Sequence, residues 1–420
     1  MDSPSRARQR VQALLLVLLL IGSLLPARDI RVVTIAGALL VPMVLWVVVR
    51  GFPAVPKAAV LASVLALTVA VAVYLGPPST EYGAQKAQTF FLLTVPTAAV
   101  ALLITNRATL VTLAKVWVAI GCVLAVLALV GEADSSGRAT GWSNSNPIWL
   151  ARAIGAPLVA LLWLVYRRAV GKSALAIGAL LLAGMYATGS RGPMVALMIG
   201  LLLVVTMSAA TVRLARAAAV TLAVAAGLYL AVMLEVISTT SRIGAILVDF
   251  RGELEASGRG ELARATFGVI AEHPWGVGFG NWVVHVPQPA HRYPHNLWLE
   301  MLAENGWLIG GFFIVTVAWV FCRLWWAART EPAAGLVLAL LAFEATAVTS
   351  TGDLNARTFF FLLTLGYAVS GWTPTVGRSR LVRNDQPLTR PDAIPLVPAP
   401  VGLTWRASTY RPVTQCPPDR

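Results

Sequence analysis

Histidine is concentrated in one part of this chain. Of its four histidines, three lie close together, at His285, His291 and His295. His295 and Asn296 stand where the polar stretch RYPHN meets the largely apolar stretch LWLEMLAENGWLIGG. A neutral imidazole can accept a proton from an incoming hydroxyl, which makes His295 a candidate general base. A histidine at a membrane surface with a purely structural hydrogen bond is the alternative, and position alone does not separate the two.

The residues around Asn296 predict a helix that holds this histidine. Leu297, Met301 and Leu302 recur at helical spacing, and Asn296 suits the cap position, where a side-chain oxygen accepts from the first free backbone N–H groups. His295 is then expected on the first turn of that helix, at the outer membrane surface.

Arginine is the second residue type that could do chemistry. Arg152 falls about two turns into an apolar run, and Arg191 follows Ser190 in a very short turn between two such runs. A charge at that depth is costly unless it has a partner or an anionic ligand. Guanidinium groups bind phosphate oxygens bidentately and stay charged when desolvated, so a phosphate-bearing lipid head group suits them. A structural ion pair between Arg152 and Glu344 is the rival interpretation.

Composition requires a membrane setting for these residues. The 420 residues are 57% hydrophobic and only 12% charged, whereas soluble proteins carry roughly 25% charged residues. The net charge of +14 is spread over short linkers between apolar runs. That pattern is typical of the positive-inside rule and not of a nucleic-acid-binding protein. Three cysteines without metal spacing predict neither a disulfide framework nor a metal site.

The elements that must position the site are apolar runs, each long enough, or nearly so, to cross a roughly 30 Å hydrocarbon core. They lack the alternation of a barrel strand, so helices are predicted. The expected fold is an all-α polytopic membrane protein with about twelve transmembrane helices. The runs cover residues 11–26, 31–49, 58–76, 88–105, 111–130, 147–166, 173–189, 193–208, 214–234, 305–322, 332–350 and 358–373.

Basic residues in the linkers predict the topology. Nine spans are expected within residues 1–234, an extracytoplasmic loop at 235–297, and three more spans within 298–373. Residues 374–420 are rich in Pro and Arg and are expected to form a disordered cytoplasmic tail, so both termini are cytoplasmic. A retained first helix is favoured over a cleaved signal peptide at the N-terminus, and the downstream topology is the same for both.

The long loop contains a predicted helix and a glycine-rich turn. In SGRGELARATFGVIAEHP, Ser257 could cap the helix and Pro274 would end it, with Leu262, Phe267, Val269 and Ile270 on its apolar face. The following GVGFG lacks the preceding strand that a dinucleotide-binding fingerprint requires. We expect a turn that packs the loop onto the membrane domain. Further polar residues on this side are Arg138, Asn144, Arg259 and Arg264.

These residues resemble a known family. The stretch SGRGELARATFGVIAEHPWGVGFGNW, followed by HNLWLEMLAENGWLIGG, is similar to the signature region of the O-antigen ligase and O-antigen polymerase superfamily. SRG at 190–192 and the GWSNSNP loop extend the resemblance. The chain departs from the family at Ile309, where a glycine is common and where Gly310 comes one residue later.

The resemblance implies a fold and a reaction. The fold is that of the C-type lipid-linked glycosyltransferases, with one large external loop between the ninth and tenth spans. The expected enzyme sits in the bacterial inner membrane and acts on its periplasmic side. It moves a glycan from undecaprenyl diphosphate to lipid A-core or another glycan acceptor, with no metal, cofactor or nucleotide sugar.

The resemblance also implies roles for particular residues. His295 matches the essential histidine of the family, and Asn296 its usual neighbour. Arg191 and Arg259 match arginines that hold the diphosphate. Arg264, on the same predicted helix as Arg259, is expected to bind the diphosphate as well. Arg138, Arg152, Ser190 and Asn296 are expected to support the site.

Three alternatives to a ligase remain at this point. A polymerase of lipid-linked repeat units would use the same chemistry with another acceptor. A lipid or polysaccharide transporter would show paired repeats and interrupted helices with charges at the midplane, whereas here the polar residues gather mainly in one external loop. A scaffold without catalysis would leave the clustered histidines and arginines idle.

Overall fold

The computed structural model describes residues 6–21, 68–135, 137–141, 146–207, 258–286 and 291–372, which belong to one compact unit, Met1–Pro374. The predicted spans 31–49 and 214–234, the predicted tail and Asn144 lie outside the described residues.

The described residues are helical, and their only β pairing is an isolated bridge between Ala133 and Ala139. The helices are α1 (Arg6–Ile21), α2 (Glu81–Thr89), α3 (Val95–Val100), α4 (Arg107–Val130), α5 (Pro147–Tyr166), α6 (Ala174–Ala187), α7 (Arg191–Met207), α8 (Arg259–Glu272), α9 (Leu297–Ala328), α10 (Pro332–Thr351) and α11 (Arg357–Val369). Residues 68–75 are helical as well.

Five helical segments within the described ranges are long and apolar enough to cross a membrane: Glu81–Leu103, Arg107–Val130, Pro147–Tyr166, Leu297–Ala328 and Pro332–Thr351. Shorter apolar helices are Gln9–Ile21, Ala174–Ala187, Arg191–Met207 and Arg357–Val369. Within the described residues the predicted helical class of fold is confirmed, and the five long apolar segments agree with a multi-pass membrane protein. These helices pack against one another as a bundle in which α10 contacts α5, α7, α9 and α11.

The first of these segments is helical throughout but changes its winding. A π-helical turn, Phe90–Thr94, joins α2 to α3, and a 3₁₀ turn, Ala101–Leu103, follows. Pro96 lies at the start of α3 and cannot donate a backbone hydrogen bond, so the regular ladder is interrupted there. The predicted span 88–105 thus begins seven residues earlier, at Glu81.

Helix α9 consists of two parts. Gly306 has φ 71° and ψ 178°, which breaks the helical backbone, and the N–H of Trp307 donates to the carbonyl of Pro274 at 2.9 Å. A Cβ at position 306 would lie 2.4 Å from the carbonyl carbon of Trp275. The predicted span start at residue 305 coincides with this break. Residues 297–305 precede the break and pack against the loop.

The bundle has two distinguishable ends. At one end, which we call the His295 end, the backbone N–H of Leu354 donates to Glu300 at 3.1 Å, and the N–H of Ala139 donates to Ala187 at 3.0 Å. At the opposite end, Arg107 at the start of α4 forms an ion pair with Glu331, the cap of α10.

Candidate functional site

His295 has an unusual backbone conformation. Its φ is 56°, in the left-handed region that non-glycine residues rarely adopt. Asn296 is the N-cap of α9, and its Oδ1 accepts from the N–H groups of Trp298 and Leu299 at 3.0 and 3.1 Å. The predicted cap is confirmed. The placement of His295 on the first turn was wrong, because it lies one residue before the cap.

The His295 imidazole is packed among aromatic and basic groups. Its ring centroid lies 4.1 Å from that of Tyr293 and 4.5 Å from that of His291. Burial, helped by the charges of His291 and Arg259, lowers the pKa of His295 to about 4. The imidazole is therefore neutral near pH 7, the state in which it can accept a proton.

Arg259 and Arg264 lie on the same short helix but on different faces. Arg259 is the first residue of α8, is half-buried, and is close enough to act electrostatically on His295. Five residues along an α-helix correspond to a rotation of roughly 140°. Arg264 is accordingly exposed, and within the described ranges no contact joins it to the histidines. The structure thus brings one of the two predicted loop arginines to the site.

The start of α8 differs in detail from the sequence prediction. Its N-cap is Gly258, at φ 66° and without a side-chain cap, and not Ser257, which lies outside the described residues. Val269 and Ile270 are buried with Trp282, as predicted for the apolar face, and Leu262 packs against them. Phe267 was wrongly included, because it is 58% exposed.

The glycine-rich turn holds the loop against two helices, as predicted. A Cβ at Gly280, whose φ is 72°, would lie 2.2 Å from the Cα of Gly83. The N–H groups of Val277 and Gly278 donate to carbonyls of α9 at 3.0 Å. Asn281 accepts from the backbone N–H of Ser79 at 2.7 Å. The turn therefore serves packing, and its N–H groups are used by the protein.

Beneath the loop lies a buried ionic cluster that the sequence analysis did not assign to the site. Lys86 on α2 lies 2.6 Å from Glu300 and 2.5 Å from Glu304, and all three side chains are fully buried. Glu304 also accepts from the N–H of Gly280 at 2.9 Å, and Glu300 from that of Leu354 at 3.1 Å. The cluster thus ties α2, α9, the glycine turn and the segment before α11 together.

Tyr293 connects the histidine to charged residues on other helices. Burial, with the charges of Asp353 and Glu300, raises the pKa of Tyr293, and the charge of Arg152 acts in the opposite direction. The phenol is therefore protonated at neutral pH and can donate a hydrogen bond. Burial also raises the pKa of Asp353, against the opposing charge of Lys86.

Arg152 and Glu344 form a buried ion pair, which confirms the structural interpretation of that pair. Arg152 comes five residues after the start of α5 and Glu344 seven residues before the end of α10. Both ends lie at the His295 end of the bundle, so the two groups sit at similar depths, roughly 8 and 10 Å along their helices. The guanidinium carbon of Arg152 also lies 5.3 Å from the ring centroid of Trp149.

The remaining predicted residues lie in neighbouring turns. Arg191 begins α7 and is half-buried, and a Cβ at Gly192 would meet Ser350 Oγ, which places this turn against the end of α10. Ser190 is buried, and its hydroxyl donates to the carbonyl of Thr188 at 3.2 Å. Arg138 forms an ion pair with Asp134 at 2.6 Å.

In the described part of the chain, no group of three or more histidine, cysteine, aspartate or glutamate residues is placed so that it could hold a metal ion. His273 and His285 form a separate ring pair, with centroids 4.8 Å apart. Burial and the neighbouring His273 lower the pKa of His285.

Sequence reasoning missed three residues that surround the site: Lys86, Tyr293 and Asp353. Lys86 could have been found from the carboxylates Glu300 and Glu304, which stand one helical turn apart at the entry to an apolar segment and need a buried cation. Asp353 and Arg357 have the spacing of a charge pair at the end of a span.

The arrangement can deprotonate a hydroxyl and bind an anion. The neutral imidazole of His295, the neutral phenol of Tyr293 and the half-buried guanidinium of Arg259 lie together before the start of α9, close to the buried ionic cluster of Lys86.

Comparisons with known proteins agree with this interpretation of the residues. No curated protein matches the sequence. Residues 176–315, which contain Arg191, Arg259 and His295, match the family model described as O-Antigen ligase.

Proposed function

We propose that the protein transfers a glycan from undecaprenyl diphosphate to an acceptor hydroxyl, as an O-antigen ligase does. The observation that carries this proposal is the neutral His295 beside Arg259 within the region that matches the family model. A base for the acceptor and a cation for the diphosphate are the two groups that this reaction needs.

The proposed reaction is a direct displacement. The acceptor oxygen forms a bond to the anomeric carbon, the bond from that carbon to the phosphate oxygen breaks, and its electron pair leaves with undecaprenyl diphosphate. His295 takes the acceptor proton, a contribution of roughly 100- to 10,000-fold in rate. Attack opposite the leaving group predicts inversion at the anomeric carbon.

Arginines neutralise the leaving group in this proposal. The charge of Arg259 acts electrostatically on His295, and Arg191 begins a helix at the same end of the bundle. The positive end of the α7 dipole adds to the charge of Arg191. Because guanidinium groups supply the positive charge, the proposed mechanism requires no metal ion.

We propose that the His295 end faces the periplasm of a bacterial inner membrane, with about twelve spans and both termini cytoplasmic. The opposite end of the described helices carries Arg107, Arg167, Arg168, Lys172, Arg323 and Arg329, as the positive-inside rule requires of a cytoplasmic surface. The lipid-linked donor and the membrane lipids would then meet the site from the outer leaflet.

A reconstituted reaction tests the function. Purified protein in liposomes is given an undecaprenyl-diphosphate-linked oligosaccharide with lipid A-core as the acceptor, and in a second reaction with the lipid-linked donor alone. Ligase activity gives a glycosylated lipid A-core of inverted anomeric configuration. Chain extension on the donor alone would identify the polymerase, and a product of retained configuration would contradict the displacement. The family match lends no support to a transporter.

A further inference from the structure

A cavity lies at the end of the bundle opposite to His295. Its volume is about 300 Å³, and small-molecule pockets span roughly 300–1,000 Å³. Four helices contribute to its wall: Arg167 follows α5, Met207 ends α7, Arg329 follows α9 and Gly335 lies near the start of α10. The cavity is therefore separate from the site around His295.

Contacts between these helices keep the cavity open. The indole N–H of Trp163 donates to the carbonyl of Pro332 at 2.9 Å, which joins the end of α5 to the start of α10. A Cβ at Gly335 would lie 3.6 Å from the Cβ of Met207 and 4.0 Å from that of Ala328, so this small residue leaves space between α7, α9 and α10. Because protein interiors are close-packed, an open space of this size indicates that another molecule fills it.

The charges of the cavity favour an anion. Arg167 and Arg329 are the charged residues of its wall, and both are exposed. Neither forms an ion pair with a carboxylate in the part of the chain that the structure describes. The charge of Arg167 acts on Glu331, but that carboxylate is bound by Arg107 and is not part of the wall. Two guanidinium groups are thus available to phosphate oxygens.

The surroundings of the cavity favour a lipid over a soluble anion. Val204 and Ala328 give the wall a buried apolar part. The guanidinium carbon of Arg329 lies 3.9 Å from the ring centroid of Trp326, which is 62% exposed. Exposed aromatic residues at the end of a membrane span lie at the level of the lipid head groups. Arg329 is therefore placed at the lipid boundary, beside a cavity that is partly apolar.

We propose that this cavity binds the head group of an anionic phospholipid. Arg167 and Arg329 bind the phosphate, the head group occupies the cavity, and the acyl chains remain in the bilayer. Basic pockets between transmembrane helices suit anionic head groups in this way. Given the proposed orientation of the protein, the lipid belongs to the cytoplasmic leaflet. The site is distinct from the arginines proposed to bind the donor diphosphate.

Native mass spectrometry of the detergent-solubilised protein tests the choice of ligand. The protein is titrated with phosphatidylglycerol, with phosphatidylcholine and with glycerol 3-phosphate, and the dissociation constant of the first bound molecule is measured. Phosphatidylglycerol should bind roughly tenfold or more tightly than the zwitterionic lipid, because the guanidinium charges are left unbalanced by a neutral head group. Equal affinity for the two lipids would overturn the proposal. Glycerol 3-phosphate bound as tightly as phosphatidylglycerol would contradict the lipid assignment.

Charge variants test the position of the bound lipid. Arg167→Gln and Arg329→Gln should each weaken phosphatidylglycerol binding by roughly tenfold to a hundredfold, the effect of losing one charge-assisted hydrogen bond. The matched control is Arg168→Gln, because Arg168 is exposed and adjacent to Arg167 but is not part of the wall. It should bind the lipid as the wild type does. Equal losses in all three variants would show a general attraction to a basic surface and would refute a site in the cavity.

Two substitutions at Gly335 test the cavity without changing the charge. Gly335→Leu fills the space beside Met207 and Ala328 and should abolish phosphatidylglycerol binding. Gly335→Ala adds a Cβ at ordinary contact distance and should bind as the wild type does. Thermal unfolding without added lipid shows whether each variant is folded, and the charge variants decide the question if Gly335→Leu is not. A folded Gly335→Leu protein that binds phosphatidylglycerol at the affinity of the wild type would overturn the proposal.

Discussion

The rings of His295 and Tyr293 lie 4.1 Å apart at a tilt of 46°, immediately before the first turn of α9. Pro294 separates the two residues, and His295 has a left-handed backbone with a φ of 56°. This local geometry places the imidazole against a phenol on which Glu300 of α9, Arg152 of α5 and Asp353 in the turn before α11 act electrostatically. The histidine is thus positioned by the bundle as well as by the loop.

The lowered pKa of His295 should be visible in the pH dependence of glycan transfer. With a pKa of about 4, the imidazole stays neutral down to that pH, and kcat/KM should fall only below it. Arg259→Gln removes a positive charge that disfavours the imidazolium, so the pKa rises and the acid limb moves to higher pH. Arg264→Gln, on another face of α8, should leave the limb in place. An acid limb of the wild type near pH 6.5 would contradict this account.

Lys86 should be essential to stability. Lys86→Met leaves Glu300 and Glu304 buried without their cation, at a cost of about 3–5 kcal/mol in the free energy of unfolding. Thermal unfolding of the detergent-solubilised protein measures this loss. Lys172→Met changes an exposed lysine and should behave as the wild type. Equal melting temperatures for the two variants would show that the cluster is not structural.

The effect of replacing a glycine by alanine should depend on whether that glycine lies in the tightly packed turn. Gly280→Ala introduces a Cβ 2.2 Å from the Cα of Gly83 at a positive φ, so the loop must move and transfer should fall along with thermal stability. Gly260→Ala, in α8 and with open space around it, should be neutral or stabilising by up to about 1 kcal/mol. Similar activity in both variants would refute the packing role of the turn.

Removal of metal ions with EDTA tests whether arginines, and not a metal ion, neutralise the charge of the departing diphosphate. The transfer rate in liposomes should be unchanged after EDTA treatment, because guanidinium groups and not a metal ion balance the departing diphosphate. A loss of activity that added Mg²⁺ restores would replace this part of the mechanism.

The helical class of fold and the position of His295 just before a helix could be predicted from the sequence, because both depend on local patterns. Apolar runs such as 147–166 gave their helix limits directly, and Asn296 marked the start of α9. Lys86 was not assigned to the site, since its partners come from a distant segment: Lys86 is more than 200 residues from Glu304 along the chain. Pairing between helices follows from packing, which the periodicity of one segment does not encode.

The exposure of Arg264 and Phe267 shows a second limit of sequence reasoning. Both lie on α8, whose pattern predicts a helix but does not define which face the loop presents to α9. The buried face is set by Trp282 and the glycine turn, which return to the helix from later in the chain.

The most direct measurement of the central claim is glycan transfer by His295→Ala, compared with His285→Ala, in liposomes that contain the lipid-linked donor and the acceptor. His285 belongs to the separate ring pair with His273 and serves as the matched histidine control. We predict a loss of roughly 100-fold or more in kcat for His295→Ala, at normal membrane insertion and donor binding, and near-normal transfer by His285→Ala. Transfer by His295→Ala at the rate of the wild type would contradict the account.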